Sequence, residues 1–272
     1  MNKQTTTRLH ALGLAAALLT AAPVALAVDG QKLIDMAKVA AGGLTPGDTP
    51  GFPVTISQPG SYKLSGNLTV PNPGTTAIEI AASHVTLDLN GFAILGITDC
   101  SSGLSPCVNA GNGVGIVTRG GARFNITLRN GTIQGMGREG ILLHGDSHLV
   151  EYMHVRSNGG DGISIRGGSD KGSSIVQHNT AQRNSGNGIV LGRGLVSHNV
   201  ADVNGSGIVL VVGTVSHNVA TQNVVNGLLF PTGNAVSYIG NTLTDNRFNV
   251  SLNGKNLGQN LCGTTVCPGA QF

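Results

Sequence analysis

Tryptophan is absent from this 272-residue chain, tyrosine occurs three times, and charged residues make up 11% of it. Tight sites for neutral sugars rest on aromatic faces, so a chain that is 3% aromatic is a poor candidate for one. Charge of one sign is also scarce. Sixteen Lys and Arg against thirteen Asp and Glu give a formal net charge of +3, too small a balance to indicate a nucleic-acid partner. Nothing after Ala27 approaches the roughly 18 consecutive apolar residues of a membrane span. Helical spacing is missing beyond Ala41, and only four cysteines are present.

The first 27 residues carry Lys3 and Arg8, then an apolar run from Leu12 to Leu26, and end in Ala25-Leu26-Ala27. A basic start, a short apolar middle and an A-x-A site predict a secretory signal peptide over 1–27. The expectation is an exported chain, periplasmic or secreted, starting at about Val28. The cysteines form two close pairs, Cys100/Cys107 and Cys262/Cys267. Export makes two local disulfides the expected reading. Zinc is the sharper alternative, but no C-x-x-C and no nearby histidine supports it.

Asp29 to Ala41 reads as a short N-terminal helix. Asp29 can cap it, Leu33, Ile34, Met36, Val39 and Ala40 supply an apolar face, and Gly42-Gly43 stops it. Residues 28–50 are accordingly an N-terminal cap and linker. From Val54 the pattern changes to short β-branched segments between Gly, Pro, Ser and Asn. Later segments repeat: Gly162-Ile163, Gly188-Ile189, Gly207-Ile208 and Gly227-Leu228 are each followed by two asparagines five residues apart, Asn179/Asn184, Asn199/Asn204, Asn218/Asn223 and Asn241/Asn246. Short coils of strand that cannot bury an apolar edge alone must stack, which predicts a parallel β-solenoid over 51–260. A disulfide loop is expected over 261–272.

Coils stacked about 4.8 Å apart let one Asn amide per coil bond its neighbours above and below. Asn90, Asn130, Asn179, Asn199, Asn218 and Asn241 are the expected structural ladder, interrupted at Met153. Buried asparagines in such a column are scaffold. The adjacent His178, His198 and His217 raise a metal reading, set against a turn-lining ladder of rings with no nearby carboxylate.

These coils, the opening GFPVTISQPGSYKLSGNLTV (51–70) and the pair LDLNGFAILG (87–96) and ITLRNGTIQG (126–135) resemble the bacterial right-handed parallel β-helix repeat proteins of the pectate-lyase-like superfamily. The resemblance implies an all-β, single-stranded right-handed parallel β-helix with a short capping helix. It implies no one activity, because the superfamily contains lyases, hydrolases, epimerases and members without assigned chemistry. The hydrolase elements N-T-D, G-D-D and G-H-G are missing here, as is the D-P-H-D element of alginate epimerase-like proteins.

Coil lengths vary between the Gly and the first Asn, so the loop after the first strand of each coil is the place to seek a binding face. Ile116, Ile141, Ile163, Ile189, Ile208 and Leu228 should point inward with the residues two further on. The outward column Val117, Leu142, Ser164, Val190, Val209 and Leu229 is apolar, which suggests a covered groove or a partner surface, with the segment after Asn249 as the expected cover. Next come Arg119, His144 and Arg166, with Asp146, His148, Asp170 and Lys171 in adjoining loops. Arg and His suit a carboxylate-bearing polymer. One reading is a binding or structural solenoid that contacts an anionic polysaccharide or an envelope protein, with no cofactor. The other is a uronate lyase or C5-epimerase, with His144 or Arg166 as base, Arg119 neutralising the carboxylate, and Asp146 and Asp170 holding Ca²⁺. A groove holding Arg119, His144 and Arg166 with Asp146 or Asp170 in hydrogen-bond reach would favour the enzyme.

Overall fold

A computed structural model of the chain describes residues 30–100, 107, 111–167, 172–231, 236–251 and 254–267. Its strands wind into a parallel β-solenoid of about 8 coils. Three sheets run along the axis. The first stacks Val54–Ile56, Ile78–Ile80, Ile116–Thr118, Ile141–Asp146 and Ile163–Arg166, then the leading parts of Ile189–Ser197 and Ile208–Ser216, then Asn226–Leu229 and Phe248–Val250. The second begins with Lys32–Ile34 on Gly60–Leu64 and ends with Lys255–Asn256 on Val236–Ile239. The third includes Thr180–Gln182, Val200–Asp202, Val219–Thr221 and Thr242–Thr244.

Strand alternation decides what is inside. Ile116, Ile141, Ile163, Ile189, Ile208 and Leu228 are all fully buried, as are Leu143, Leu191, Leu210 and Phe230 two residues on. Each such aliphatic side chain contributes roughly 1.5–3 kcal/mol through removal from water. The third sheet turns Ala181, Ala201 and Ala220 inward, all fully buried.

Two buried asparagine ladders hold the coils in register. In the first, the Nδ2 of Asn199 donates to Asn218 Oδ1 at 3.0 Å and to the carbonyls of Val176 and Ser197, both at 2.9 Å. Its Oδ1 accepts from the backbone N–H and Nδ2 of Asn179. The ladder runs Asn179, Asn199, Asn218, Asn241 and on to Asn260. The second runs Asn158, Asn184, Asn204, Asn223 and Asn246. The Gly of each Gly-Ile pair is explained by this second ladder. A Cβ on Gly162 would lie 2.7 Å from Asn184 Nδ2 and 2.6 Å from the Gly188 carbonyl oxygen.

Asn90 and Asn130 are not rungs. Gly131, not Asn130, sits opposite Met153, whose N–H donates to Asn179 Oδ1. Asn90 and Asn130 fall one residue earlier, at a left-handed corner with φ of 53° and 60°, and are exposed. The N-terminal helix is also shorter than expected. It covers Met36–Ala41 and is capped by Asp35, whose Oδ1 accepts from Lys38 N–H, while Lys32–Ile34 pairs as a strand with Tyr62–Leu64. The alternation of exposed Leu33 and buried Ile34 fits a strand and not a helix face. The segment expected to cover the outward apolar column instead continues the solenoid, with Leu261–Cys262 paired to Thr242–Leu243. Disulfides join Cys100 to Cys107 and Cys262 to Cys267.

Asn199→Leu strands the N–H of Asn179 and two carbonyls in a dry interior, where each unmet group costs about 1–3 kcal/mol. Chemical denaturation should show a loss of about 3 kcal/mol in unfolding free energy; an unchanged midpoint would mean that the ladder does not hold the coils.

Candidate functional site

Coil length determines where a groove can form. In the two shortest coils the backbone runs from the first sheet to the second as unbroken nine-residue strands, Ile189–Ser197 and Ile208–Ser216. The preceding longer coils bend there, and Gly120, Gly121, Ala122, Gly145 and Gly167 wall an open cavity of about 660 Å³ on the outward face of the first sheet. Val117 and Leu142 form its floor. That accounts for part of the apolar outward column. Farther along, Val190, Val209 and Leu229 stack on one another at the coil spacing and shield each other laterally.

Arg119, His144 and Arg166 all line this groove, in three consecutive coils. The His144 N–H donates to Thr118 Oγ1 at 2.7 Å, and its Nδ1 lies 3.4 Å from the same hydroxyl. Arg119 pairs with Glu79, which is 8% exposed. Arg138 and Arg166 both reach Glu139 Oε1, at 3.1 and 3.5 Å. Glu139 is 4% exposed, and its Oε2 is buried without a hydrogen-bond partner among the described residues. The three guanidinium side chains themselves remain 48–69% exposed. Glu79 therefore holds one arginine and Glu139 two, and each guanidinium lining the groove has five N–H donors, more than these contacts use.

Asp161 stands beside this cluster. Burial raises its pKa above the ordinary carboxylate value, hydrogen bonds from the Asn187 backbone and side chain oppose that, Glu139 adds to the rise and Arg166 opposes it. The residues preceding successive Gly-Ile pairs, Glu139, Asp161, Asn187, Ser206 and Asn226, form one polar column. Aligning on that column is the signal that would have revealed Glu139 and Asp161; Glu79 falls in register with Val117 and Leu142 of the outward column, one coil earlier, and Arg138 carries no comparable repeat.

Other expected site residues fall elsewhere. Asp146 is buried at the far end of the strand that carries His144 and does not line the groove. His148 is 2% exposed, and its Nδ1 accepts the Ile126 N–H at 3.3 Å. It is an interior residue, with its pKa lowered to about 4 chiefly by burial. Asp170 and Lys171 lie outside the described residues. Among the described residues, no three His, Cys, Asp or Glu side chains are grouped to hold a metal ion.

The sequence matches the family model of the right handed beta helix region over residues 65–211 and again over 112–261. The chain belongs to the right-handed β-helix family. Comparison with curated proteins returns no match. Membership of the β-helix family accounts for the three sheets and leaves the chemistry of the groove to its own residues. The two disulfides of this β-helix suit an oxidising, extracytoplasmic compartment. No helix among the described residues is long and apolar enough to cross a membrane.

The buried His148 gives the fold a pH dependence. With its folded pKa depressed from 6.5 to about 4, its neutral form stabilises the protein fully above about pH 6.5, and that contribution is lost as pH falls toward 4. Denaturation measured across that window should show a loss of about 3 kcal/mol that His148→Gln lacks. Identical pH profiles for the two proteins would contradict this assignment.

Proposed function

We propose that this protein is an exported β-helix that binds an anionic polysaccharide in the groove of Arg119, Arg138, His144 and Arg166. One observation carries the reading: three half-exposed guanidinium groups share one groove, each held from behind by a largely buried carboxylate. Guanidinium forks bind carboxylates through paired charge-assisted hydrogen bonds. Arg119 and Arg166 stand two coils apart, roughly 10 Å along the axis, which suits a polymer with repeating anions better than a single small ion. The N-terminal segment with its A-x-A end and the two disulfides support export, to the periplasm or beyond.

A lyase or epimerase acting on uronates is the second reading, and His144 between two arginines is what favours it. Proton abstraction next to a carboxylate needs a base and a neutralising cation. Binding is preferred because Asp146 does not reach the groove, and Glu79 and Glu139 are engaged with arginines.

Calorimetry of the purified protein with polygalacturonate and alginate, with and without Ca²⁺, separates the two. The expected result is salt-sensitive binding, weakened about 10-fold by Arg119→Ala and by Arg166→Ala, with no rise in ultraviolet absorbance from an unsaturated product. Accumulating unsaturated product would establish the lyase instead. Absence of binding to any polyuronate would remove the glycan reading and leave a protein partner at the envelope as the remaining occupant of the groove.

A further inference from the structure

A corner of the solenoid away from the groove carries a second array of side chains. Tyr152, His178, His198 and His217 occupy successive coils with φ between 53° and 57°. Their rings stack in order, with centroids 5.2, 5.0 and 5.2 Å apart and interplanar angles of 4°, 24° and 9°. All four side chains are exposed. The backbone beneath them is held firmly, because the next residue in the three histidine coils is a rung of the first asparagine ladder. Beyond His217 the stack ends at Gly240, which offers no side chain.

The corner conformation alone does not call for imidazole. Asn90 and Asn130 take the same left-handed conformation in earlier coils with φ of 53° and 60°, and asparagine and histidine both tolerate that region. Histidine in three coils in a row produces something asparagine does not: a row of exposed ring nitrogens at a fixed spacing.

We infer that this row is an open two-nitrogen site for a divalent transition-metal ion, formed by His198 with either His178 or His217. Imidazole suits Cu²⁺, Ni²⁺ and Zn²⁺, with Cu²⁺ bound most strongly at a given nitrogen site. Metal–imidazole bonds of about 2.0–2.1 Å allow two nitrogens on one ion to stand at most roughly 4 Å apart. The rings stand 5.0–5.2 Å apart centroid to centroid and are stacked, so convergence of two nitrogens on one ion takes a rotation of both side chains out of the stack, which their exposure leaves open. Water completes the coordination. The ligand set of two agrees with the lack of any three-residue metal group among the described residues, and it excludes a closed structural site. Nitrogen ligands also exclude Ca²⁺ and Mg²⁺, which take oxygen.

His198 has a special place, since it belongs to both pairs. The test uses protein without a polyhistidine tag, titrated with Cu²⁺ alone by calorimetry and by electron paramagnetic resonance. The expected result is one Cu²⁺ at the corner with nitrogen hyperfine structure from two imidazoles. His198→Asn should weaken it by more than the roughly 10-fold typical of losing a supporting contact. His178→Asn should still bind through His198 and His217. Asn is already the residue of this corner at positions 90 and 130, so both variants should fold, as circular dichroism would verify. Wild-type affinity in His198→Asn, or no Cu²⁺ binding by the wild-type protein at millimolar metal, would overturn the inference.

Discussion

The buried asparagine side chain is the interaction on which the other features depend. Each amide of the two ladders bonds backbone groups of neighbouring coils and the amide of the coil stacked on it, and those of the first ladder also bond a carbonyl of their own coil, so turn carbonyls and N–H groups that would otherwise be stranded inside are met. This fixes the coil-to-coil register at two corners. The register in turn places an isoleucine or leucine over the next one in the core, excludes a Cβ at Gly162, Gly188, Gly207 and Gly227, and sets the three histidines of the left-handed corner over one another.

With the interior settled this way, the outward positions are free to vary. Where the coil is long, a bend separates the first and second sheets and walls the groove. Where it is short, the strand continues and the same face is flat. The groove therefore belongs to the coils that precede Ile189–Ser197, and its own charged residues lie in them. Glu79 and Glu139 sit almost wholly out of water behind the arginines. An arginine restrained in that way loses less side-chain freedom on meeting an anion than one moving freely in solvent.

Much of this was legible in the sequence. The Gly-Ile and Asn periods specify a parallel solenoid, and strand alternation identifies the inward residues, because both follow from backbone geometry alone. The same reasoning placed Arg119, His144 and Arg166 on one face. It failed where a single residue of register matters: the similarity of LDLNG to ITLRNG put Asn90 and Asn130 in the ladder, although they occupy the corner before it. It also failed for His148, since a histidine beside a turn reads as exposed until the neighbouring coil that buries it is known. Arg138 pairs with its sequence neighbour Glu139, but Arg119 and Arg166 take their partners from other coils, Glu79 being 40 residues from Arg119, and such long-range pairing leaves no local mark.

Hydrogen exchange on the protein with and without a polyuronate oligosaccharide tests the central claim most directly, because it locates the ligand without altering any residue. Added protection confined to residues 116–122, 138–145 and 163–167 is the result predicted for binding in the groove. Protection centred on another face of the solenoid, or none at saturating ligand, would contradict it.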